Sequence, residues 1–414
     1  MLHTIGPLVL IAAATSAGSL LAAEMRPLLL VDGSRTRAAL TGATADGRWT
    51  FNDDSGATRA VSASEVVIWG NPAEVALGPV LWLIDGGVIA QSPAEPGQPP
   101  ASLQFDKDLL QLDRSPLGPL TLPLELLRGV VFDPPSNRSR RDRMLFALFG
   151  AADSAAPPRD ADRVVLVNGD ALDGTLQSCD GSQVVLAAPA GKTSIDRSKV
   201  AALLYNPSLS PKLRRQGLAM LIGLRDGTRI AAKSFVLSDH EIVITPALAI
   251  DGHATWTAPR DMLVFLQPLG GKITYLSDLQ ADSYKHLPYL SLTWPYRNDL
   301  SVTGAPLRAG GRMFAKGIGM HSAARLTYRL DKPYKRFEAD VAIDDETAGQ
   351  GSATVRVFVD SQQVWASTEI RGGAAPEQVR VDLPEGERLS LLVDFGQRGD
   401  ELDHVDWLNA RLVE

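Results

Sequence analysis

The stretch from residue 403 to residue 407 concentrates side chains that can recognise a polyhydroxylated ligand. Asp403, His404 and Asp406 offer hydrogen-bonding groups, and Trp407 adds a large aromatic ring beside them. Such a ring can pack against the C–H face of a sugar, while carboxylates and imidazoles pair with its hydroxyls. His321, in an earlier Gly-rich segment, could contribute a further polar contact. The residue types therefore predict a binding site built from these five positions.

A second interpretation assigns some of these side chains to the protein interior. His321, Asp345 and Asp406 could instead form a buried, satisfied polar network that fixes loops. The acidic run that begins at Asp344 and Asp345 could hold a structural calcium ion, because hard cations take carboxylate oxygens. An acidic turn open to solvent is the alternative for that run. The sequence leaves these interpretations open.

No motif in the sequence indicates an enzyme. There is no GxSxG elbow, HExxH helix, Walker loop or GxGxxG following a strand, and the six histidines include no i,i+4 pair. The single cysteine, Cys179, cannot form an intramolecular disulfide or a cysteine-based zinc site. A glycoside hydrolase needs two carboxylates at a fixed separation in a deep pocket. We therefore predict a non-catalytic protein, with an unrecognised glycoside hydrolase as the weaker alternative.

Long segments in which apolar and polar residues alternate surround the candidate residues. In the segment 324–330, Leu326, Tyr328 and Leu330 fall on one face of a strand, and segments 337–343, 354–359 and 389–393 alternate in the same way. Period-two alternation indicates half-buried strands, and several such strands in succession predict a β-sandwich. The same pattern near the end of the chain predicts one face formed by Leu408, Ala410 and Leu412 and an opposite face formed by Trp407, Asn409 and Arg411.

Short motifs follow one another in a specific order in the last third of the chain. Phe314-Ala-Lys-Gly-Ile-Gly-Met-His321 is followed by Ile343-Asp-Asp345, Gly351-Ser352 and Asp403-His-Val-Asp-Trp407. This order resembles the NPCBM/NEW2 domain, the carbohydrate-binding module first noted beside glycoside hydrolases of family 98 and classed as carbohydrate-binding module family 51. The resemblance covers residues 272–414. It implies a galactose-binding-like β-sandwich (jelly roll), binding to galactose-type glycans and, in some members, a structural calcium ion.

The middle of the chain is a degenerate repeat. Four segments open with an apolar stretch and an Asp-Gly or Asn-Gly dipeptide, and each closes with an apolar strand and a proline. Such dipeptides are strong hairpin signals, so each repeat is expected to contain several short strands. The arrangement resembles small SH3-like or Sm-like barrels, two in 24–134 and two in 163–268. We predict an all-β chain in which neighbouring repeats pack in pairs, because one repeat alone buries little core.

A linker at 135–162 separates the two halves of the repeat. It contains a basic run at 136–143 and the apolar run 144–149, for which we expect a helical turn docked on the barrels. The net charge of −7 argues against a nucleic-acid partner, because neutralising phosphates requires a basic surface. The basic run is therefore interpreted as a solvated linker or short helix.

The first 23 residues resemble a secretory signal peptide. An uncharged apolar stretch and a run of small residues precede Glu24, and Ala22 or Ala23 offers a cleavage point. An uncleaved anchor is the alternative, and no later segment is long enough to span a membrane. The sequence thus predicts a secreted or periplasmic carbohydrate-binding protein. The rival is a cell-envelope scaffold whose module binds a protein partner.

Overall fold

The computed structural model describes residues 24–75, 77–94, 96–98, 102–106, 108–150, 159–189, 191–211, 219–248 and 255–414. Strands dominate these ranges, and the one α-helix found in them is α1, Arg138–Phe149. The predicted all-β class is confirmed. In the same ranges, no helix combines the length and apolar character needed to cross a membrane. The predicted signal peptide, 1–23, lies outside the described residues.

Four units of short strands fill residues 26–269. Unit 1 contains β1 Arg26–Leu30, β2 Arg35–Ala43, β3 Arg48–Asp53, β4 Thr58–Ser62 and β5 Val66–Gly70. Unit 2 contains β6 Val80–Leu83, β7 Val88–Ala90, β8 Leu103–Asp106, β9 Leu109–Leu112, β10 Leu120–Pro123 and β11 Leu127–Val131. Unit 3 contains β12 Asp162–Leu166, β13 Ala171–Cys179, β14 Gln183–Ala188, β15 Gly191–Asp196 and β16 Val200–Leu204. Unit 4 contains β17 Ala219–Leu224, β18 Arg229–Leu237, β19 Glu241–Pro246, β20 Trp256–Pro259 and β21 Leu263–Leu269. One-turn 3₁₀ helices precede the last strands, at Ala63–Glu65, Leu124–Leu126, Arg197–Lys199 and Arg260–Met262, and another lies at Pro207–Leu209.

The first turn of each unit is fixed by an acidic or amide side chain. Oxygens of Asp32, Asp85, Asn168 and Asp226 each accept a hydrogen bond of 2.8–3.1 Å from the N–H two residues further on. The glycine after each of them has a φ between 85° and 93°, which glycine adopts without a steric penalty. The four turns therefore lie where the Asp-Gly and Asn-Gly dipeptides predicted them.

The units associate in two pairs through their last strands. Within each unit the first strand pairs antiparallel with the last. Between units, β11 pairs with β16 and β5 pairs with β21, which joins unit 2 to unit 3 and unit 1 to unit 4. The expected pairing of sequence neighbours is wrong for units 1 and 4, because the shared strand edge brings the first unit to the last. One hydrophobic cluster runs through all four units, and the SH3-like or Sm-like assignment stays a prediction.

Residues 273–413 form two facing antiparallel sheets, the inner and the outer sheet. The inner sheet contains β22 Ile273–Tyr275, β24 Arg297–Asn298, β27 Gly317–His321, β29 Arg336–Ile343, β32 Glu377–Asp382 and β34 His404–Val413. Its order is β24-β27-β34-β29-β32, with β22 also on β34. The outer sheet contains β23 Ser283–His286, β28 Ala324–Arg329, β30 Ser352–Val359, β31 Gln362–Arg371 and β33 Arg388–Phe395, in the order β23-β28-β33-β30-β31. A hairpin of β25 Arg308–Ala309 and β26 Arg312–Met313 and 3₁₀ helices at Leu276–Asp278 and Asp345–Thr347 complete this region. The predicted sandwich is confirmed.

Strand β34 is buried along its whole length, on both faces. Trp407, Ala410 and Leu412 pack in the core between the two sheets, whereas Leu408 and Val413 belong to apolar clusters on the other face of the inner sheet. The register with β29 shifts opposite Asn409, whose φ is 49°, so the strand contains a bulge there. The predicted common face of Leu408, Ala410 and Leu412 is therefore wrong, because the bulge moves Leu408 to the opposite side.

Units 1 and 4 cover the second face of the inner sheet. Arg35 of β2 forms an ion pair of 2.8 Å with Asp340 of β29. The buried Gln267 amide of β21 donates a hydrogen bond of 3.0 Å to the Asn409 side-chain oxygen. These contacts explain why polar residues on that face of the inner sheet are buried.

Helix α1 occupies the predicted linker and packs at the same junction. The Asn137 side chain caps it by accepting a hydrogen bond from the Arg140 N–H. Phe149 stacks on Trp82 of unit 2 at 4.8 Å between ring centroids. The Arg297 guanidinium lies over the Phe146 ring at 4.5 Å. The basic and apolar runs of the linker thus form one helix wedged between unit 2 and the C-terminal sandwich.

Candidate functional site

Four aromatic or imidazole side chains meet at one end of the sandwich. His321 ends β27 and His404 begins β34, and the two residues are register partners in the inner sheet. His286 ends β23 of the outer sheet, and Trp294 lies in the irregular segment between β23 and β24. We call these four residues the tryptophan–histidine cluster. Two of them, His321 and His404, belong to the predicted site, and antiparallel pairing explains why residues so distant in sequence are adjacent.

The rings of the cluster are in direct contact. Trp294 stacks on His321 with ring centroids 4.8 Å apart and an angle of 4° between planes. His404 lies 5.6 Å from both rings, in a tilted arrangement. His321 and His404 are buried, whereas Trp294 is half-buried. The indole therefore keeps part of its surface accessible while one ring contact holds it in place.

Asp403 positions the histidines through Ser322. Its carboxylate accepts a hydrogen bond of 2.7 Å from the Ser322 hydroxyl and one of 3.0 Å from the Ser352 N–H. The Ser322 carbonyl oxygen lies 2.8 Å from Nδ1 of His321 and 3.0 Å from Nε2 of His286. Asp403 has no exposed surface, and burial raises its pKa to about 6. The predicted site residue Asp403 thus helps to position the cluster by holding Ser322.

His404 is held by Glu346, the last carboxylate of the acidic run that begins at Asp344. Its Nδ1 lies 2.9 Å from Oε1 of Glu346, which also accepts hydrogen bonds from the hydroxyls of Thr303 and Ser301. Burial acts to raise the pKa of Glu346, but the His404 contact and the two hydroxyls outweigh it and hold the pKa below its ordinary value. An ionised carboxylate only accepts hydrogen bonds, so Nδ1 of His404 carries the proton.

The Nε2 atoms of the two imidazoles are available for hydrogen bonding. A carbonyl oxygen also only accepts, so Nδ1 of His321 is the protonated nitrogen in that ring. Burial lowers the pKa of His321, which favours the neutral ring. Neither Nε2 has a hydrogen bond within the part of the chain that the structure describes, and neither is among its fully enclosed unpaired atoms. Two unpaired ring nitrogens thus lie beside one half-buried indole, and that of the neutral His321 is an acceptor.

The other two predicted site residues lie in the protein interior. Trp407 has no exposed surface and packs against Phe337 in the sandwich core, so its ring cannot stack on a ligand. Asp406 is also completely buried, and its oxygens have no well-formed hydrogen bond to any described residue. The prediction of Trp407 as the stacking platform is therefore wrong, because its side chain points into the core between the two sheets.

Burial also determines the charge of Asp406. It raises the pKa of this carboxyl well above the ordinary value, and the neighbouring Asp344 carboxyl raises it further. In the unfolded chain the pKa returns to about 3.9. A raised folded-state pKa stabilises the protein below the unfolded value, and that contribution is lost as the pH rises through the folded value.

Asp406→Asn is therefore expected to gain stability relative to the unsubstituted protein as the pH rises from 5 to 9. The amide is neutral throughout, whereas the buried carboxyl must either stay protonated or ionise in the core. Thermal unfolding followed by circular dichroism at several pH values measures the difference in Tm. The exposed Asp382→Asn variant should run parallel to the unsubstituted protein. Parallel curves for Asp406→Asn as well would contradict the assignment.

The calcium candidates are engaged by backbone donors. The Asp344 carboxylate accepts from the N–H groups of Arg308 and Glu346, and the Asp345 carboxylate accepts from those of Gly310 and Gly311. Across the described ranges, no group of three or more His, Cys, Asp or Glu side chains is placed to hold a metal ion. Asp344 and Asp345 thus take part in a hydrogen-bonded turn, and the structural calcium ion stays a prediction. The alternative network of His321, Asp345 and Asp406 is not formed by the hydrogen bonds of these residues either, since each is bonded elsewhere or unpaired.

Sequence reasoning missed Trp294 and, for Glu346 of the acidic run, its contact with His404. Trp294 is followed by a proline in a stretch without alternation, and proline is unfavourable inside a paired strand. A tryptophan outside the strands of a β-sandwich is a candidate for an accessible ring, and this signal could have identified it. Glu346 is one of several acidic residues in its turn, and nothing in the sequence separates it from its neighbours.

Part of this chain is similar to known proteins. Residues 272–413 match the family model of the NPCBM/NEW2 domain. The protein "Putative endo-alpha-N-acetylgalactosaminidase" of Renibacterium salmoninarum is 30% identical over 110 residues, which are 27% of this chain and 7% of that protein. Alpha-1,3-galactosidase B of Akkermansia muciniphila is 32% identical over 116 residues, 27% of this chain and 15% of that protein. The chain thus spans only a small part of the length of these curated relatives.

A solved structure matches about a third of the chain. CBM51 from GH95 of Clostridium perfringens, in complex with methyl-galactose, is 27% identical to this protein. The match covers 34% of this chain and 99% of that chain, with a TM-score of 0.31. The family match agrees with the motif order from Phe314 to Trp407, and residues 272–413 are an NPCBM/NEW2 domain.

Proposed function

We propose that this is a non-catalytic carbohydrate-binding protein whose ligand docks on the tryptophan–histidine cluster. The observation that carries the proposal is the half-buried Trp294 ring beside the two unpaired Nε2 atoms of His321 and His404. An indole can cover the C–H face of a sugar, and neighbouring acceptors can take hydrogen bonds from adjacent hydroxyls. The supports from Asp403 and Glu346 hold the two rings, so both Nε2 atoms are oriented before a ligand arrives.

A galactose-type glycan is the ligand class that we infer. Support comes from the NPCBM/NEW2 family match, whose resemblance implies such sugars, and from two relatives named as a galactosidase and an N-acetylgalactosaminidase. Exposed Leu287, Tyr289 and Leu290 precede Trp294 and could contact a longer glycan or its carrier. We also infer that the four units are small SH3-like or Sm-like barrels, which their first-to-last strand pairing supports.

The carboxylates that line a cavity between unit 2, unit 4, helix α1 and the C-terminal domain favour a role without catalysis. A glycosidase general acid needs a raised pKa. At this cavity, Glu74 is paired with Arg308 and Arg141; burial acts to raise its pKa, but these contacts hold it below the ordinary value. Asp299, on the same cavity, is paired with Lys316. These charges stabilise the domain junction rather than prepare a proton donor.

The rival function is a cell-envelope scaffold whose module binds a protein. The burial of Trp407 favours the scaffold function, because that ring packs in the core and cannot bind a ligand. The exposed apolar residues before Trp294 also favour it. For either function we infer a secreted or periplasmic location from the apolar start of the sequence. N-terminal sequencing of the mature protein tests that location.

Trp294→Ala is expected to remove detectable glycan binding. The full chain should bind galactose-type glycans on an array and in calorimetric titration, with a Kd of about 1 mM to 10 μM for one shallow site. Loss of the indole should weaken binding roughly 5- to 150-fold, which corresponds to about 1–3 kcal/mol. Because Trp294 is half-buried and outside the strands, the Tm should change little.

Trp365→Ala is the matched control. Trp365 is also half-buried, but it lies on β31, at the edge of the outer sheet opposite the β23 edge that carries His286. It should leave glycan binding unchanged. If both variants bind like the unsubstituted protein, Trp294 is not the platform. If the unsubstituted protein shows no glycan binding into the millimolar range, the scaffold function is favoured.

A further inference from the structure

A cavity of about 370 Å³ lies where units 2 and 4 and helix α1 meet the C-terminal domain. Its volume falls within the range of small-molecule sites, which is about 300–1,000 Å³. Much of its wall is apolar and aromatic, formed by Trp82, Leu145, Phe146, Phe149, Leu221 and Phe314. It is separate from the tryptophan–histidine cluster, because no member of that cluster lines it. The cavity therefore has the size and the apolar lining of a ligand site.

Three of the cations that line the cavity are neutralised by protein carboxylates. Arg308 pairs with Glu74 at 2.7 Å and with Asp142 at 2.8 Å. Arg141 lies 3.3 Å from Glu74. Lys316 pairs with Asp278 at 2.7 Å and with Asp299 at 2.6 Å, and these two carboxylates neutralise its charge. A ligand would gain little from these three groups, since their donors are already used.

Arg229 is different. It begins β18 and lines the cavity, yet its guanidinium forms no ion pair or hydrogen bond with any residue that the structure describes. Asp299 attracts it, but from beyond ion-pair distance. Burial lowers the pKa of Arg229, although an arginine stays charged at neutral pH. Arg229 is half-buried, and no residue that the structure describes uses its guanidinium donors, so they remain available to an anion in the cavity.

We propose that this cavity binds a small organic carboxylate with a flat apolar body, and that Arg229 pairs with the carboxylate. The planar guanidinium can donate two parallel hydrogen bonds to a carboxylate, which a neutral ligand cannot match in strength. The apolar body lies against the aromatic wall formed by Trp82 and Phe149. This site is independent of the glycan function and adds a second ligand to the protein.

Two probes of the same shape test the charge requirement. Naphthalene-2-carboxylate and its neutral amide, naphthalene-2-carboxamide, are titrated calorimetrically into the full chain at neutral pH. The carboxylate should bind at least about tenfold more tightly than the amide, because only the carboxylate forms charge-assisted hydrogen bonds. Equal affinities, or no heat from the carboxylate up to 10 mM, would overturn the proposal.

Variants locate the site. In Arg229→Gln, the carboxylate and the amide should bind with about equal affinity. Arg225 is an exposed arginine of the same turn and lies outside the cavity, so Arg225→Gln should keep the preference for the carboxylate. If Arg229→Gln fails to fold, Arg229→Lys keeps the charge without the fork and should bind the carboxylate severalfold more weakly. Carboxylate binding that survives all Arg229 substitutions would also overturn the proposal.

A third variant separates this site from the glycan site. Trp294→Ala should leave carboxylate affinity unchanged, because Trp294 does not line the cavity. A loss of carboxylate binding in Trp294→Ala would mean that the probe occupies the tryptophan–histidine cluster, and the proposal would then be wrong.

Discussion

Replacing Trp407 by alanine is expected to destabilise the C-terminal domain by about 3–5 kcal/mol, the usual cost of truncating a buried tryptophan. The ring has no exposed surface and packs with Phe337 between the sheets of the sandwich. Its removal leaves a cavity that β34 cannot close, since both faces of that strand are covered. Chemical unfolding of the full chain, followed by tryptophan fluorescence, measures the loss.

Trp407→Phe separates packing from hydrogen bonding. The indole N–H has no hydrogen-bond partner among the residues that the structure describes, so its loss leaves no acceptor unpaired. We expect the phenylalanine variant to lose much less stability than the alanine variant. Equal losses of stability in the two variants would show that the volume of the side chain at this position does not determine the stability. Retained stability in Trp407→Ala would contradict the placement of this ring in the core.

Removing the charge of Arg308 is expected to have the second-largest effect. Arg308 is 4% exposed and pairs with Asp142, which is also buried, and with the half-exposed Glu74. Arg308→Met should cost about 3 kcal/mol, because it leaves the Asp142 carboxylate buried without a counter-ion. Thermal and denaturant unfolding of the full chain measure this loss.

A double variant tests the cause of that loss. Arg308→Met combined with Asp142→Asn leaves no buried uncompensated charge at this pair, so part of the lost stability should return. Arg312→Met, at an exposed arginine of the adjacent strand β26, should change stability by no more than about 0.5 kcal/mol. A double variant as unstable as the sum of the two single variants would show that the ion pair is not coupled.

Local sequence signals predicted much of the fold, because they depend on residues close together in the chain. The four Asp-Gly and Asn-Gly turns and the alternation of Leu326 and Tyr328 in β28 are examples. The pairing of unit 1 with unit 4 could not be predicted, because it depends on strand edges far apart in sequence. The burial of β29 and β34 on both faces was missed for the same reason, since the covering residues belong to units 1 and 4.

The candidate site was predicted in part. The motif order led to His321, His404 and Asp403, and strand pairing brings the two histidines together. The sequence predicted Trp407 as the stacking ring instead of Trp294, because sequence alone does not show which face of a strand is covered. A bulge at Asn409 adds to the difficulty, since one residue in the left-handed region reverses the alternation that follows it.

The pairing of β5 with β21 has a consequence for synthesis on the ribosome. Val66–Gly70 is wholly buried in the folded protein, yet its partner strand emerges roughly 200 residues later. At about 5–20 residues per second, roughly 10–40 s pass before that partner is available. Units 2 and 3 are complete by then, so they can form while the apolar edge of unit 1 waits unpaired. During that interval the nascent chain exposes an unpaired apolar strand edge, the kind of edge that favours aggregation, and the folding of unit 4 then covers it.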